Sequence, residues 1–219
     1  MTEPATKKFF NKSYIIALAT SLLFFLISLI VNHFADIYAS IRASSSVADM
    51  ILDNIPVINT NGIFIYGSVI FVIFAAVLLA FMPKKIPFTV NSVALFVLIR
   101  SGFITLTHLG PPASSVLTLG EISEKFTSGA SLFFSGHTGV PFLFALIFWQ
   151  NVRLRWIFLA CSVIAAVSVL LGHMHYSIDV AAAYFITYSI FHICQKAFKK
   201  DYALFWSDEP ADLSAKPKL

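Results

Sequence analysis

The chain has 219 residues, of which 58% are hydrophobic and 12% charged, with a mean hydropathy of +0.83. Soluble domains carry about one-quarter charged residues, so this chain has too few charges to coat a water-exposed globule, and the composition excludes a soluble domain. The formal net charge is +4, but the lysines and arginines fall in short clusters between apolar runs, a pattern of membrane topology and not of nucleic-acid binding.

In chain order, Lys7, Lys8 and Lys12 precede an apolar run from Tyr14 to about Phe34. That run is longer than a signal-peptide core and no A-x-A site closes it, so it reads as span 1 (14–34). The stretch 35–61 is more polar, yet Ile37/Ile41 and Val47/Ile51 keep helical spacing; a helix lying on the membrane surface and an ordered loop both fit it. Span 2 covers about 62–82 and stops at Pro83-Lys84-Lys85, and span 3 covers about 87–109 and stops at Gly110-Pro111-Pro112. A second polar stretch, 110–129, holds Glu121, Glu124 and Lys125. Span 4 (131–149), a turn with Arg153 and Arg155, span 5 (156–172) and span 6 (175–195) complete the series.

Six spans of about 20 residues use roughly 120 positions and leave little for a second domain. The expected fold is therefore all-α, a polytopic six-helix membrane bundle over 14–200, between a segment 1–13 and a tail 201–219. Cys161 and Cys194 match no metal or redox spacing and read as free thiols. Lys84, Lys85, Arg153, Arg155, Lys196, Lys199 and Lys200 share one side with the amino-terminal lysines, whereas Asp36, Asp49, Asp53, Glu121 and Glu124 lie on the other. The positive-inside rule then places both termini in the cytoplasm, with the cell membrane as the expected location.

Ionisable residues inside spans are costly and mark function. Arg100, His137, His175 and Asp179 all fall in the outer halves of their spans. His175 and Asp179 stand at i and i+4, where one helix face would bring the carboxylate beside the ring; such a carboxylate fixes the tautomer and makes the free nitrogen more basic. An imidazole so prepared suits nucleophilic attack. In Ser135-Gly136-His137-Thr138, a glycine admits close backbone approach, and a helix start supplies N–H groups for an anion. A second histidine could protonate a leaving alkoxide, and Arg100 supplies a fixed charge for a phosphate. With no carboxylate cluster for a metal and no cofactor motif, the set reads as a covalent phosphoryl-transfer site. His108 and His173 near the outer face carry no assigned role, and zinc held by His173, His175 and His137 is the competing use of the histidines.

Ser135-Gly136-His137-Thr138 and His175-Tyr176-Ser177-Ile178-Asp179 resemble the two core motifs of the type 2 phosphatidic acid phosphatase (PAP2) superfamily. Together with Arg100, Thr107 and Leu109, they are closer to its sphingomyelin synthase branch, over roughly 95–192, with a fainter echo from Asp49 to Pro56. The resemblance implies a site on the non-cytosolic face, with His175 as nucleophile, Asp179 as its partner and His137 as acid/base. Arg100, Ser135 and Gly136 would bind the substrate phosphate. The implied reaction moves a phospho-headgroup from a phospholipid to a lipid alcohol of the ceramide or diacylglycerol type through a phosphohistidine. The chain departs from the pattern at Ser131, where that branch has an Asp, and at Val169, where the phosphatase branch has an Arg. A lipid phosphate phosphatase on the same fold and a non-enzymatic transporter or scaffold are the alternative classes; the absence of an internal repeat and the crowding of polar residues at one face count against a transporter.

Overall fold

The computed structural model describes residues 12–116 and 132–207. Lys7, Lys8, Glu121, Glu124, Lys125 and Ser131 lie outside the described residues. The helices are α1 (Lys12–Arg42), α2 (Asn61–Phe81), α3 (Ile86–Thr107), α4 (Gly136–Ile147), α5 (Val152–Leu171), α6 (Ser177–Ala197) and α7 (Lys199–Phe205). Single 3₁₀ turns lie at Leu52–Asn54 and Pro83–Lys85.

Five of these helices, α1, α2, α3 with its preceding turn, α5 and α6, are long and apolar enough to cross a membrane. Where the sequence suggests a full span over 131–149, the described helix is only Gly136–Ile147, 12 residues. At 1.5 Å per residue that is about 18 Å, short of a hydrocarbon core of about 30 Å. The reason is local. Ser135 is extended (ψ 112°), and its side chain accepts the Thr138 N–H, so the helix starts there. His137 therefore sits in the first turn of the helix and not within the outer half of a full span.

α1 corrects the other end of the sequence reading. It runs 31 residues to Arg42, so Asp36, expected in an outer loop, is a buried helical residue. Its buried face is mostly small: Ser21, Ser28, Ala35 and Ala39. Small side chains let two helix backbones approach closely within lipid, where apolar burial gives little drive. α3 is the helix that packs there, and Ser101 Oγ reaches Asn32 Oδ1 at 3.4 Å across the pair. Beyond Arg42 the chain is an ordered loop with one 3₁₀ turn.

α4 packs against α3, α5 and α6. Gly139 makes this close fit possible: a Cβ there would lie 2.7 Å from the Phe96 ring and 2.9 Å from Thr187 Oγ1. The core is largely aromatic, with Phe88, Phe96, Phe134, Phe158, Phe191 and Phe205 all buried. α2 is peripheral and lipid-like on most of its surface, with Ala75 its one buried residue. α7, which runs from the last two residues of the expected membrane domain into the segment expected as tail, folds back so that Phe205 and Trp206 receive the Lys85 ammonium over their rings at 4.3 and 5.2 Å. Cys161 and Cys194 are free thiols.

Candidate active site

The site grows from the start of α6. A helix leaves its first N–H groups without partners, and here two carboxylates from different parts of the chain take them. Asp179, the third helical residue, folds its Oδ2 back onto the Tyr176 N–H at 3.0 Å. Asp49, from the loop after α1, places Oδ2 2.7 Å from the Ser177 N–H, while its Oδ1 accepts the Ile51 and Leu52 N–H groups. Burial pushes the Asp49 carboxyl up, but these hydrogen bonds outweigh it and hold the group below its ordinary value. Tyr176 is pinned as well: its hydroxyl donates to the Gly110 carbonyl at 3.0 Å and accepts the Val47 N–H at 3.1 Å.

This geometry changes how His175 meets Asp179. His175 precedes the helix, so the two do not share a helix face by i,i+4 periodicity. The back-folded carboxylate instead carries the same Oδ2 to 3.3 Å from His175 Nδ1. His175 is 6% exposed and Asp179 fully buried, in a setting where an unpaired carboxylate would be costly.

The start of α4 meets this pair from the other side. The Ser135 N–H donates to the Asp179 carbonyl at 3.1 Å, which locks the two helix starts together. Phe134 is gripped edge-on by Phe96 and Phe103 of α3, and its carbonyl accepts Arg100 Nε at 2.8 Å. The guanidinium then lies over Gly136, where a Cβ would sit 3.5 Å from Nε. Arg100 interacts electrostatically with Asp36 and Asp179, and His137 with His175 and Arg100. The His137 ring packs tilted against Phe64 of α2, centroids 4.0 Å apart. Ser135 Oγ is engaged with the Thr138 N–H, so in this arrangement the helix-start donors left for an anion are the backbone N–H groups of Gly136 and His137.

The structure thus brings His175, Asp179, His137, Arg100, Ser135 and Gly136 to one end of the bundle. Reading the sequence alone missed Asp36, Asp49 and Phe64 as neighbours of this group. Continuing the helical spacing of Ile37 and Ile41 back into span 1 would have placed Asp36 on a helix; nothing local marks Phe64. His108 ends α3 with a left-handed backbone (φ 47°) and packs on Tyr38, while His173 (φ 49°) bonds Ser114 Oγ through Nδ1 at 2.6 Å. Among the described residues no group of three or more His, Cys, Asp or Glu side chains converges as a metal site. Val169 is buried in an apolar cluster with Ala166, Met174 and Val180.

Asp49 yields a direct expectation. Both of its oxygens face N–H donors, and an amide can turn an oxygen to only one of them. Asp49→Asn should destabilise the protein by about 1–2 kcal/mol, a capping-sized loss. Because the folded carboxyl titrates below its unfolded value, the difference from wild type is full above the unfolded value and fades as pH falls through the folded one. Thermal unfolding of both proteins at neutral and acid pH measures it, and equal midpoints at neutral pH would remove Asp49 from this role.

No curated protein matches the chain. Residues 130–196, which take in α4, α5, all but the end of α6 and both histidine motifs, match the family model described as PAP2 superfamily C-terminal, a superfamily of phosphatase-related enzymes.

Proposed function

We propose that the chain is a membrane lipid phosphotransferase that moves a phospho-headgroup from a phospholipid to a lipid alcohol of the ceramide or diacylglycerol type. The observation that carries this reading is the His175–Asp179 contact, with the carboxylate fixed by the Tyr176 N–H. An ionised Asp179 keeps the proton on Nδ1 and leaves Nε2 as the nucleophile. Attack by Nε2 on the donor phosphorus forms a P–N bond and breaks the P–O bond to diacylglycerol, whose oxygen takes a proton from His137. The acceptor alcohol then gives its proton to His137 as its oxygen attacks phosphorus, and the P–N bond breaks. Arg100 and the N–H groups at the start of α4 offset the charge on the phosphoryl oxygens through both steps.

The apolar surroundings favour a lipid alcohol over water as acceptor. The lysine asymmetry supports a site on the face opposite the termini. The test is incubation of the purified protein with a panel of labelled phospholipids in mixed micelles, with and without ceramide or diacylglycerol, read by mass spectrometry. The expected product is the acceptor carrying the donor headgroup. In sealed vesicles of known orientation, only donors in the leaflet opposite the termini should be consumed. Faster release of free phosphate from phosphatidic acid than any headgroup transfer from a diester would overturn the reading in favour of a phosphatase.

A further inference from the structure

Most of α2 is exposed and apolar, with Ile63, Tyr66, Val69, Ile70 and Ile73 all open. Its start is tied down. The Ile58 N–H donates to the Leu171 carbonyl at 2.8 Å, Thr60 Oγ1 to the Ser168 carbonyl at 2.7 Å, and Asn61 Nδ2 to the Val116 carbonyl at 2.7 Å. Gly172 permits the close approach: a Cβ there would lie 2.5 Å from Thr60 Oγ1. The Phe64 N–H donates to the Thr60 carbonyl at 2.9 Å, so Phe64 stands one turn beyond this anchor.

Phe64 is thereby held between two different surfaces. It is half-buried and packs on the apolar cluster of Ala166, Val169, Met174 and Val180. It also packs on the His137 ring, with centroids 4.0 Å apart and planes tilted by 36°. Rings in such contact leave no room between them for a water molecule, about 2.8 Å across. A phenyl ring gives His137 no conventional hydrogen bond; what it supplies is cover. Cover matters at one step of the reaction proposed above, on which this inference rests. The phosphohistidine can be resolved by a lipid alcohol or by water. In either case the incoming oxygen bonds phosphorus, the P–N bond to His175 breaks, and the incoming O–H proton passes to His137. Whichever O–H reaches His137 decides the product. We propose that Phe64 is a specificity-determining residue: its ring keeps water from the α2 side of His137 and so favours transfer over hydrolysis.

The test uses the purified full chain in mixed micelles, with labelled phosphatidylcholine or phosphatidylethanolamine as donor and ceramide or a short-chain diacylglycerol as acceptor. The quantity read is the ratio of headgroup phosphate released in water to headgroup transferred. An apolar contact is worth about 10-fold or more in choosing between reactants, so Phe64→Ala should raise the ratio by roughly that factor. Phe64→Leu, which trims the cover without removing it, should raise it less. Phe71, two turns further along α2, packs on Phe144 and Phe158 in the core; Phe71→Ala loosens the same helix away from His137 and should leave the ratio at the wild-type value. An unchanged ratio in folded Phe64→Ala, or an equal rise in Phe71→Ala, would overturn the role of Phe64 and leave the transferase standing. If the alanine protein does not fold, an unchanged ratio in Phe64→Leu is the overturning result. Absence of transfer by wild type from either donor would overturn the transferase reading itself, and the role of Phe64 with it.

Discussion

His175→Ala should abolish turnover and leave no phosphoenzyme, the largest effect expected of any single substitution. Where nucleophile and partners act as a unit, losing the nucleophile costs as much as losing them all, on the order of 10⁶-fold. The label to look for is a phosphoramidate, labile in acid and stable in base, formed when the protein meets a donor without acceptor. Asp179→Asn should cut the rate by about 10⁴-fold: an amide oxygen in the place of Oδ2 can still meet the Tyr176 N–H and His175 Nδ1, but the negative charge that stabilises the imidazolium is gone. His137→Ala differs in kind. It removes the proton carrier and leaves the nucleophile, so it slows both formation and release of the phosphoenzyme and does not eliminate it. Unfolding midpoints for all three variants separate chemistry from folding. Near-normal turnover by folded His175→Ala protein would refute the covalent route.

The apolar runs made most of the helices legible, because length and hydrophobicity are read directly from residues such as those of α2. What periodicity could not show was where polar residues turn a helix on or off inside an apolar run. Ser135 starts α4 late because its side chain caps Thr138, and no change in hydropathy marks that. Asp36 was read as a boundary because a charge normally ends a span, yet here a partner across the helix pair, Arg100, makes a charge tolerable inside α1. The residue types of the candidate site were legible as a motif. Their connection was not: Asp49 reaches Ser177 across 128 positions of sequence, and Asp179 meets His175 through a capping fold-back in place of a shared helix face.

Arg100 is where the charge balance of the site is decided, and its replacement gives the second large effect. Its Nε donates to the Phe134 carbonyl, which fixes the plane of the guanidinium. Asp36 and Asp179 both bear on it, so Arg100 and a His137 protonated to act as the acid do no more than balance the two carboxylates and leave the cluster near neutral. A phosphate monoester brings close to two further negative charges and a diester only one, so the cluster suits a diester such as phosphatidylcholine or phosphatidylethanolamine better than phosphatidic acid. Arg100→Lys keeps the charge but loses the planar fork and the bond to Phe134, and kcat/KM should fall about 10²-fold. Arg100→Gln removes the charge, and the loss should reach about 10³-fold or more. It also removes the opposite charge that bears on Asp36, 5% exposed, so part of that loss would come from the fold. Adding Asp36→Asn to Arg100→Gln separates the two contributions. The double variant should recover the unfolding midpoint and none of the turnover. Recovery of turnover along with stability would reduce Arg100 to a counter-ion for Asp36 and take it out of the chemistry.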